Sequence, residues 1–112
     1  MVFATDRRTR DLQGFAHERV TPTFTATGLT SSVHTPTGEA TAERAEIEVE
    51  GDDVRYWIGK SSAGAELDPT ETDGFLLHDG EQLVLDHYNK IRHFRVRKVG
   101  NGPSYLQVLY YR

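Results

Sequence analysis

The stretch from Ala45 to Glu50 reads Ala-Glu-Ile-Glu-Val-Glu, and it decides the fold class. Its apolar side chains alternate with three carboxylates, which is the period-two pattern of a strand with one buried and one exposed face. Gly51-Asp52 follows and supplies a two-residue turn with glycine at its first central position. Residues 54–58, Val-Arg-Tyr-Trp-Ile, alternate again and predict the return strand of a hairpin.

Two more strand pairs are predicted towards the end of the chain. Residues 76–78 and 83–85 flank Asp79-Gly80, one of the strongest short hairpin signals. Residues 94–97, Phe-Arg-Val-Arg, alternate, and a Gly-Asn-Gly-Pro turn then leads into residues 105–111. That last stretch is apolar on both faces, so it predicts a central strand. The sequence thus predicts three hairpins and no long helix.

Upstream, residues 21–27 carry threonine at alternate positions, which suits an exposed strand. Pro22 restricts this strand to a sheet edge or a strand start. Residues 61–73 are predicted to form a polar loop. About seven or eight short strands with regularly spaced turns are typical of an all-β sandwich or small barrel. We predict a jelly-roll topology.

Residues 1–20 are mixed in charge and weakly apolar, and they predict an extended N-terminal arm. Residues 21–112 are then a single β-sandwich domain. A frayed terminus is the alternative interpretation of the arm. An arm of this kind binds by ordering on a partner surface. Its candidate partner-binding residues are Phe3, Arg7, Arg8, Leu12 and Phe15.

The bulk composition narrows the function classes. A length of 112 residues fits one domain with one core. The formal net charge of −4 argues against nucleic acid as the main partner. The chain has no cysteine, which excludes disulfides and cysteine metal sites. No apolar run is long enough for a membrane span, and the first residues lack a secretory-signal pattern, so we expect a soluble protein that acts where it is made or is released by lysis.

Charges are sorted along the chain. Residues 39–53 hold seven acids and one base, and residues 88–112 hold six bases and no acid. One interpretation is a solvated surface on which the two rows pair across neighbouring strands. The other is that one row faces a neighbouring subunit or partner and selects it by charge. The candidate partner-binding residues of these charged faces are Glu46, Glu48, Glu50, Arg95 and Arg97.

Catalytic and metal-binding patterns are weak. Five histidines stand singly without a His-x-His pair, although separate imidazoles can still converge in space. No serine has Gly-x-Ser-x-Gly flanks, and no glycine-rich phosphate loop is present. We therefore predict a protein that is not an enzyme, with no catalytic residues, no cofactor, no metal and no small-molecule substrate.

The aromatic residues leave two other interpretations open. Aromatics beside arginines in the basic tail occur in single-strand nucleic-acid binders, but the overall acidity opposes this role. Trp57, Tyr88, Tyr110 and Tyr111 would suit a carbohydrate-binding sandwich that recognises a host surface. The ordinary role of aromatics in a small β protein is packing in the core.

Four stretches carry a family resemblance. They are residues 53–59 (Asp-Val-Arg-Tyr-Trp-Ile-Gly), 68–70 (Asp-Pro-Thr), 74–81 (Gly-Phe-Leu-Leu-His-Asp-Gly-Glu) and 91–96 (Ile-Arg-His-Phe-Arg-Val). Their strand rhythm and turn placement resemble small auxiliary virion proteins of tailed bacteriophages, and the closing residues 106–112 fit as well. Where that pattern often has Asp-Gly, this chain has Gly59-Lys60 and a longer Ser-Ala-Gly insertion.

The resemblance implies a capsid decoration or cement protein on the exterior of the virion, made in the host cytoplasm. Such a protein binds the major capsid protein and copies of itself, often as a trimer or dimer at a capsid symmetry axis. A tail or head–tail connector component is the alternative within the virion.

Overall fold

Eight strands and two short helices form residues 12–112, the part of the chain that the computed structural model describes. The alternation of apolar and polar side chains that predicted the strands is what allows each of them to bury one face. In chain order the elements are β1 Gly14–Val20, β2 Thr27–Gly28, α1 Ser31–His34, β3 Arg44–Gly51, β4 Val54–Ile58, β5 Phe75–Leu77, β6 Gln82–Leu85, α2 Tyr88–Arg92, β7 Phe94–Lys98 and β8 Ser104–Tyr111.

The strands form two four-stranded antiparallel sheets packed face to face. The first sheet has the order β1-β8-β3-β6 and the second has the order β2-β7-β4-β5. Strands that follow one another along the chain mostly lie in opposite sheets, which is the arrangement of an eight-stranded jelly roll. The predicted all-β sandwich and its jelly-roll topology are therefore confirmed. Strand β8 is central, between β1 and β3, as its two apolar faces predicted.

The three predicted hairpins are wrong. Strand β3 pairs with β6 and β8, whereas β4 pairs with β5 and β7, so the Gly51-Asp52 turn carries the chain from one sheet to the other. The turns at Asp79-Gly80 and at residues 100–103 do the same. The one pair of consecutive strands that does pair, β4 and β5, is joined by the long loop of residues 59–74.

These three turns meet at one end of the sandwich, here called the turn end. The amide of Gly102 donates to Oδ2 of Asp52 at 2.7 Å, and the amide of Asp52 donates to the carbonyl of Pro103 at 3.0 Å. The amide of Gly51 donates to Oδ1 of Asp79 at 2.9 Å. These bonds link turns that lie far apart in sequence. They explain why the turns predicted to close hairpins instead connect one sheet to the other.

Inward side chains of both sheets fill the space between them. Ala45, Ile47 and Val49 point inward from β3, as their alternation with the glutamates predicted. Burial of Ile47 and of Val49 contributes about 1.5 to 3 kcal/mol each relative to exposure. The buried core comprises Ala42, Ala45, Ile47, Val49, Val54, Leu77, Leu85, Ile91, Phe94, Val96, Leu106, Val108 and Tyr110.

The arm predicted for residues 1–20 does not hold over Gly14–Val20, because these residues are strand β1 and pair with β8. The sandwich therefore begins before the predicted boundary at residue 21. The sequence pattern missed this strand because Glu18, a charged residue, points inward. Its carboxylate accepts a hydrogen bond of 2.5 Å from the hydroxyl of Tyr110, which compensates for its position inside the sandwich.

The edge strand predicted for residues 21–27 is shorter than expected, since only Thr27–Gly28 pair as β2.

Candidate functional surfaces

The outer face of the first sheet, here called the acidic face, presents the three glutamates of β3. Cross-strand pairing places Glu48 beside Gln107 and Gln82, and it places Glu46 beside Leu109 and Val84. On the other side of β8, Arg19 pairs with Gln107 and His17 pairs with Leu109. The predicted single-sided row of Glu46, Glu48 and Glu50 is therefore part of a surface four strands wide.

A shallow groove of about 340 Å³ crosses this acidic face. Two carboxylates, two amides and one imidazole lie around it, with apolar atoms between them. The lining residues are His17, Glu46, Ile47, Glu48, Gln82, Gln107, Val108 and Leu109. We call this feature the acidic groove. Because its lining contains two carboxylates and no lysine or arginine, its local potential favours cations.

Arginine–tyrosine stacks border the groove at both ends of β8. The guanidinium carbon of Arg19 lies 4.6 Å from the ring centre of Tyr105, and that of Arg44 lies 5.5 Å from the ring centre of Tyr111. Arg44 also donates to Glu46 at 2.7 Å, and the hydroxyl of Tyr111 donates to the same carboxylate at 2.8 Å. This bond to Glu46 raises the pKa of Tyr111.

The three glutamates differ in their hydrogen-bond and ion-pair partners. Glu46 is held by Arg44 and Tyr111, and Glu50 accepts a hydrogen bond of 3.1 Å from the side-chain amide of Gln107. Glu48 is exposed, and with residues 12–112 it forms neither a hydrogen bond nor an ion pair. The acidic groove therefore contains one carboxylate that is available to a ligand.

The outer face of the second sheet, here called the basic face, carries Arg95 and Arg97 on β7. Since β3 and β7 belong to different sheets, the expected pairing between the glutamate row and the arginine row across neighbouring strands is wrong. Arg95 donates to Asp68 at 2.7 Å and to the carbonyl of Ala26 at 3.2 Å. Arg97 donates to the carbonyl of Lys98 at 3.0 Å and lies against the ring of Phe24.

The loop of residues 59–74 is fixed on the basic face by arginines. Asp68 pairs with Arg95, as above, and Arg55 donates to the carbonyls of Glu71 and Gly74 at 3.1 and 2.8 Å. Pro69, within the loop, is buried. These bonds keep the loop in place next to strand β5, so Arg95 serves the chain's own structure.

Strand β5 carries an exposed apolar cluster at the edge of the second sheet. Phe75 is 60% exposed, and its ring lies 5.1 Å from that of Trp57 and 5.6 Å from that of Tyr56, measured between ring centres. Leu76 is also exposed and pairs with Arg55 on the basic face. We call Trp57, Phe75 and Leu76 the β5 patch. Sequence reasoning missed it because Phe75 was left out of the predicted strand of residues 76–78, and that strand had no defined outer face.

The predicted arm residues have different positions. Phe15 lies in β1 and packs against the core, where the guanidinium of Arg112 covers its ring at 4.1 Å. Leu12 is half-buried just before β1. Phe3, Arg7 and Arg8 lie outside the described residues. Leu12 and Phe15 are therefore attached to the sandwich.

A half-buried polar cluster lies near the end of the sandwich opposite the turn end. His34 is 3% exposed, and its Nδ1 is 2.9 Å from the hydroxyl of Thr35. Its ring lies 6.2 Å from that of Tyr88 and 5.9 Å from that of Tyr110. Burial lowers the pKa of His34, an effect that Glu18 opposes and Arg92 reinforces. Within residues 12–112, no group of three or more His, Asp or Glu side chains is arranged to hold a metal ion.

The aromatics proposed for sugar stacking do not form one platform. Tyr110 is fully buried in the core, so its predicted exposure as a stacking ring is wrong. Tyr111 is stacked by Arg44, and Tyr88 lies near Arg92 at 5.8 Å. Trp57 lies in the other sheet, beside Phe75.

No family model, no curated protein and no solved structure matches this chain. None of the helices in the described residues is long and apolar enough to cross a membrane.

Proposed function

We propose that this chain is a non-enzymatic structural protein of a tailed-phage virion that decorates the capsid by binding the major capsid protein. The jelly-roll sandwich supports the proposal, because its interior is filled by apolar side chains and its rows of charged side chains lie on the two outer faces. The sequence resemblance of residues 53–59 and 74–81 to small virion proteins supports it as well.

The observation that carries the proposal is the β5 patch. An exposed phenylalanine beside a tryptophan and a leucine is typical of the apolar centre of a protein interface. The adjacent loop is already fixed by Arg95 and Arg55, so little conformational entropy is lost when a partner docks there. We propose that this patch contacts the major capsid protein and that Trp57 and Phe75 are its anchors.

The mechanism is mechanical. Each copy bridges adjacent capsid subunits and raises the free energy needed to separate them, because separation then exposes an additional interface. A stable contact of this type buries at least about 1,000 Å² in total. The β5 patch supplies the apolar centre of that area, and the basic face around it supplies the polar rim.

The test is cosedimentation with capsid shells assembled from the major capsid protein of the same genome. We expect the full chain to sediment with the shells at a fixed copy number per capsid subunit. The double variant Phe75→Ser/Leu76→Ser should lose binding, because it removes the apolar anchor. Val84→Ser on the acidic face is the matched control and should bind like the unchanged chain, since Val84 is 46% exposed but lies on the other sheet.

Circular dichroism checks that both variants are folded. Absence of the unchanged chain from shells would overturn the decoration proposal, and binding to purified tails would favour the tail component. Equal binding by the double variant would show that the β5 patch is not the contact.

A further inference from the structure

The acidic groove is suited to a basic, extended peptide. Glu48 is available for an ion pair. Glu46, two residues away on the same face of β3, also lines the groove. A guanidinium binds carboxylates in a planar, two-pronged geometry that is stronger than a neutral hydrogen bond. The side-chain amides of Gln82 and Gln107 border Glu48 and can hydrogen-bond to a peptide backbone.

Apolar atoms in and beside the groove fit the rest of such a peptide. Leu109 is 39% exposed and lines the groove, and the exposed Val84 lies beside Glu46. These side chains can pack against an aliphatic arginine stem or an aromatic ring. An occupant with closely spaced arginines and one nearby aromatic residue would therefore match both the charge and the apolar surface.

The chain itself contains a segment of this composition. Residues 1–11 read Met-Val-Phe-Ala-Thr-Asp-Arg-Arg-Thr-Arg-Asp, with three arginines within four positions, two aspartates and one phenylalanine. The segment joins the sandwich beside the acidic face, because Gln13 pairs with Arg112 through two backbone hydrogen bonds of 3.0 Å. Eleven extended residues span at most about 36 Å. Glu48 lies opposite Gln107, which is five residues along β8 from Arg112, or roughly 17 Å, so the segment can reach the groove.

We propose that residues 1–11 bind the acidic groove as an extended basic peptide, with an arginine of the Arg7-Arg8 pair on Glu48. The same charge argument makes the basic face the less favourable docking site, since Arg55, Arg95 and Arg97 lie on it. The proposal does not depend on the capsid-decoration function. The peptide comes from this chain, either from the same copy or from a neighbouring one, and the experiment separates these two sources.

Paramagnetic relaxation enhancement in the full chain tests the proposal directly. Because the natural sequence has no cysteine, Thr5→Cys gives a single attachment site for a nitroxide label. We expect broadening of the amide signals of Glu48, Gln82 and Gln107, while the amides of Arg95 and Arg97 on the opposite outer face stay sharp. Absence of broadening, or equal broadening on both faces, would overturn the proposal.

A mixed sample identifies the copy that supplies the segment. One chain in this sample carries the spin label and natural-abundance nitrogen. The other chain carries nitrogen-15 and no spin label, so the amide signals come from it alone. Broadening of the groove amides in the mixture shows a segment from a neighbouring copy. Broadening only in the doubly labelled chain shows a segment from the same copy. Either result supports the proposed site.

A charge reversal tests the ion pair. Glu48→Lys should abolish the broadening, Arg7→Glu/Arg8→Glu should abolish it as well, and the combined variant should restore it. Glu50→Lys is the matched control, because Glu50 points from the same strand face but does not line the groove. Glu48→Gln provides a milder second variant if Glu48→Lys does not fold. Broadening that survives both Glu48 variants would overturn the assignment.

Discussion

At the scale of single residues, Asp52 links two turns of the chain. Its carboxylate accepts the amide of Gly102, its own amide donates to Pro103, and its carbonyl accepts the hydroxyl of Ser104 at 2.9 Å. A side chain at Gly102 would place its Cβ 2.5 Å from the Asp52 carboxylate, so glycine is required for this close contact. One aspartate therefore fixes the crossing into β4 and the crossing into β8 together.

We expect Asp52→Ala to lower the free energy of unfolding by about 1.5 to 3 kcal/mol, the usual contribution of a hydrogen bond to a charged group. Urea unfolding followed by circular dichroism measures the change. Glu43→Ala is the control and should shift stability by less than about 0.5 kcal/mol, because Glu43 is exposed. Equal effects of the two substitutions would contradict a structural role for Asp52.

His34 gives the molecule a pH dependence of known sign. Its folded pKa lies below the unfolded value because burial disfavours the imidazolium. The unfolded state therefore binds more protons than the folded state once the pH falls below about 6.5, and stability decreases in that direction. We expect His34→Gln to show a smaller loss of stability between about pH 7 and about pH 5 than the unchanged chain does.

The exposed His78 affects the pH dependence of stability in the opposite direction, and its substitution provides a second test. Its hydrogen bond to Asp53 raises the folded pKa, so its contribution is present at low pH and is lost as the pH rises through that raised pKa. His78→Gln should therefore make the loss of stability on acidification steeper. Parallel pH profiles for both variants and the unchanged chain would show that neither histidine matters.

At the scale of elements, the loop of residues 59–74 is held by side chains of the strands beneath it. Arg95 bonds to Asp68, and within the loop the amide of Leu67 donates to the carbonyl of Gly59 at 3.1 Å. Arg97 lies two residues along the same strand but forms its hydrogen bond with Lys98. The two arginines of the predicted row therefore have separate roles.

We expect Arg95→Ala to increase the rate of amide hydrogen exchange at Leu67, because the loop loses its bond to Asp68 and opens more often. Arg97→Ala is the matched control and should leave that rate unchanged. Exchange measured residue by residue by NMR decides between them. A similar increase in both variants would mean that the basic face as a whole holds the loop.

Most of the strands could be predicted from the sequence, but their partners could not. The alternation in residues 45–50 specified β3 and its inward side chains correctly. The turn at Gly51-Asp52 was placed correctly too, yet it leads to the opposite sheet, because its long-range bond to Gly102 is invisible in local sequence. Strand β1 was missed since Glu18 points inward to Tyr110 and Thr30 and breaks the apolar pattern.

At the scale of the whole molecule, the two sheets share one core. Leu106 from the first sheet and Val96 from the second are both fully buried in it. Neither sheet can cover its apolar face alone, so unfolding of one should expose the other. This predicts a single cooperative transition.

Two probes test that cooperativity. Trp57 is the only tryptophan and lies in the second sheet, so its fluorescence reports that sheet, whereas far-ultraviolet circular dichroism reports both. We expect coincident unfolding curves from the two probes in Leu106→Ala, with stability lowered by about 2 to 5 kcal/mol. The exposed Leu109→Ala should shift stability far less. Separate transitions in Leu106→Ala would show that the sheets unfold independently.

The distribution of charge over the whole molecule was only partly predictable. The sequence correctly placed Glu46, Glu48 and Glu50 on one strand face and Arg95 and Arg97 on another. The pairing of strands sends these rows to opposite outer faces, and no local pattern specifies that. The acidic groove was missed for the same reason, because Gln107 and Leu109 join Glu46 and Glu48 only through the pairing of β8 with β3.

Two backbone hydrogen bonds hold Gln13 next to Arg112. In a chain of residues 13–112 alone, a short linker between these two positions would make a cyclic chain without crossing either sheet. New ends could then be opened at the exposed residues 62–65 in the β4–β5 loop, on a surface that carries no core residue. Such a circular permutant would move the attachment point of a fused protein to this loop while keeping the same spatial order of strands in each sheet.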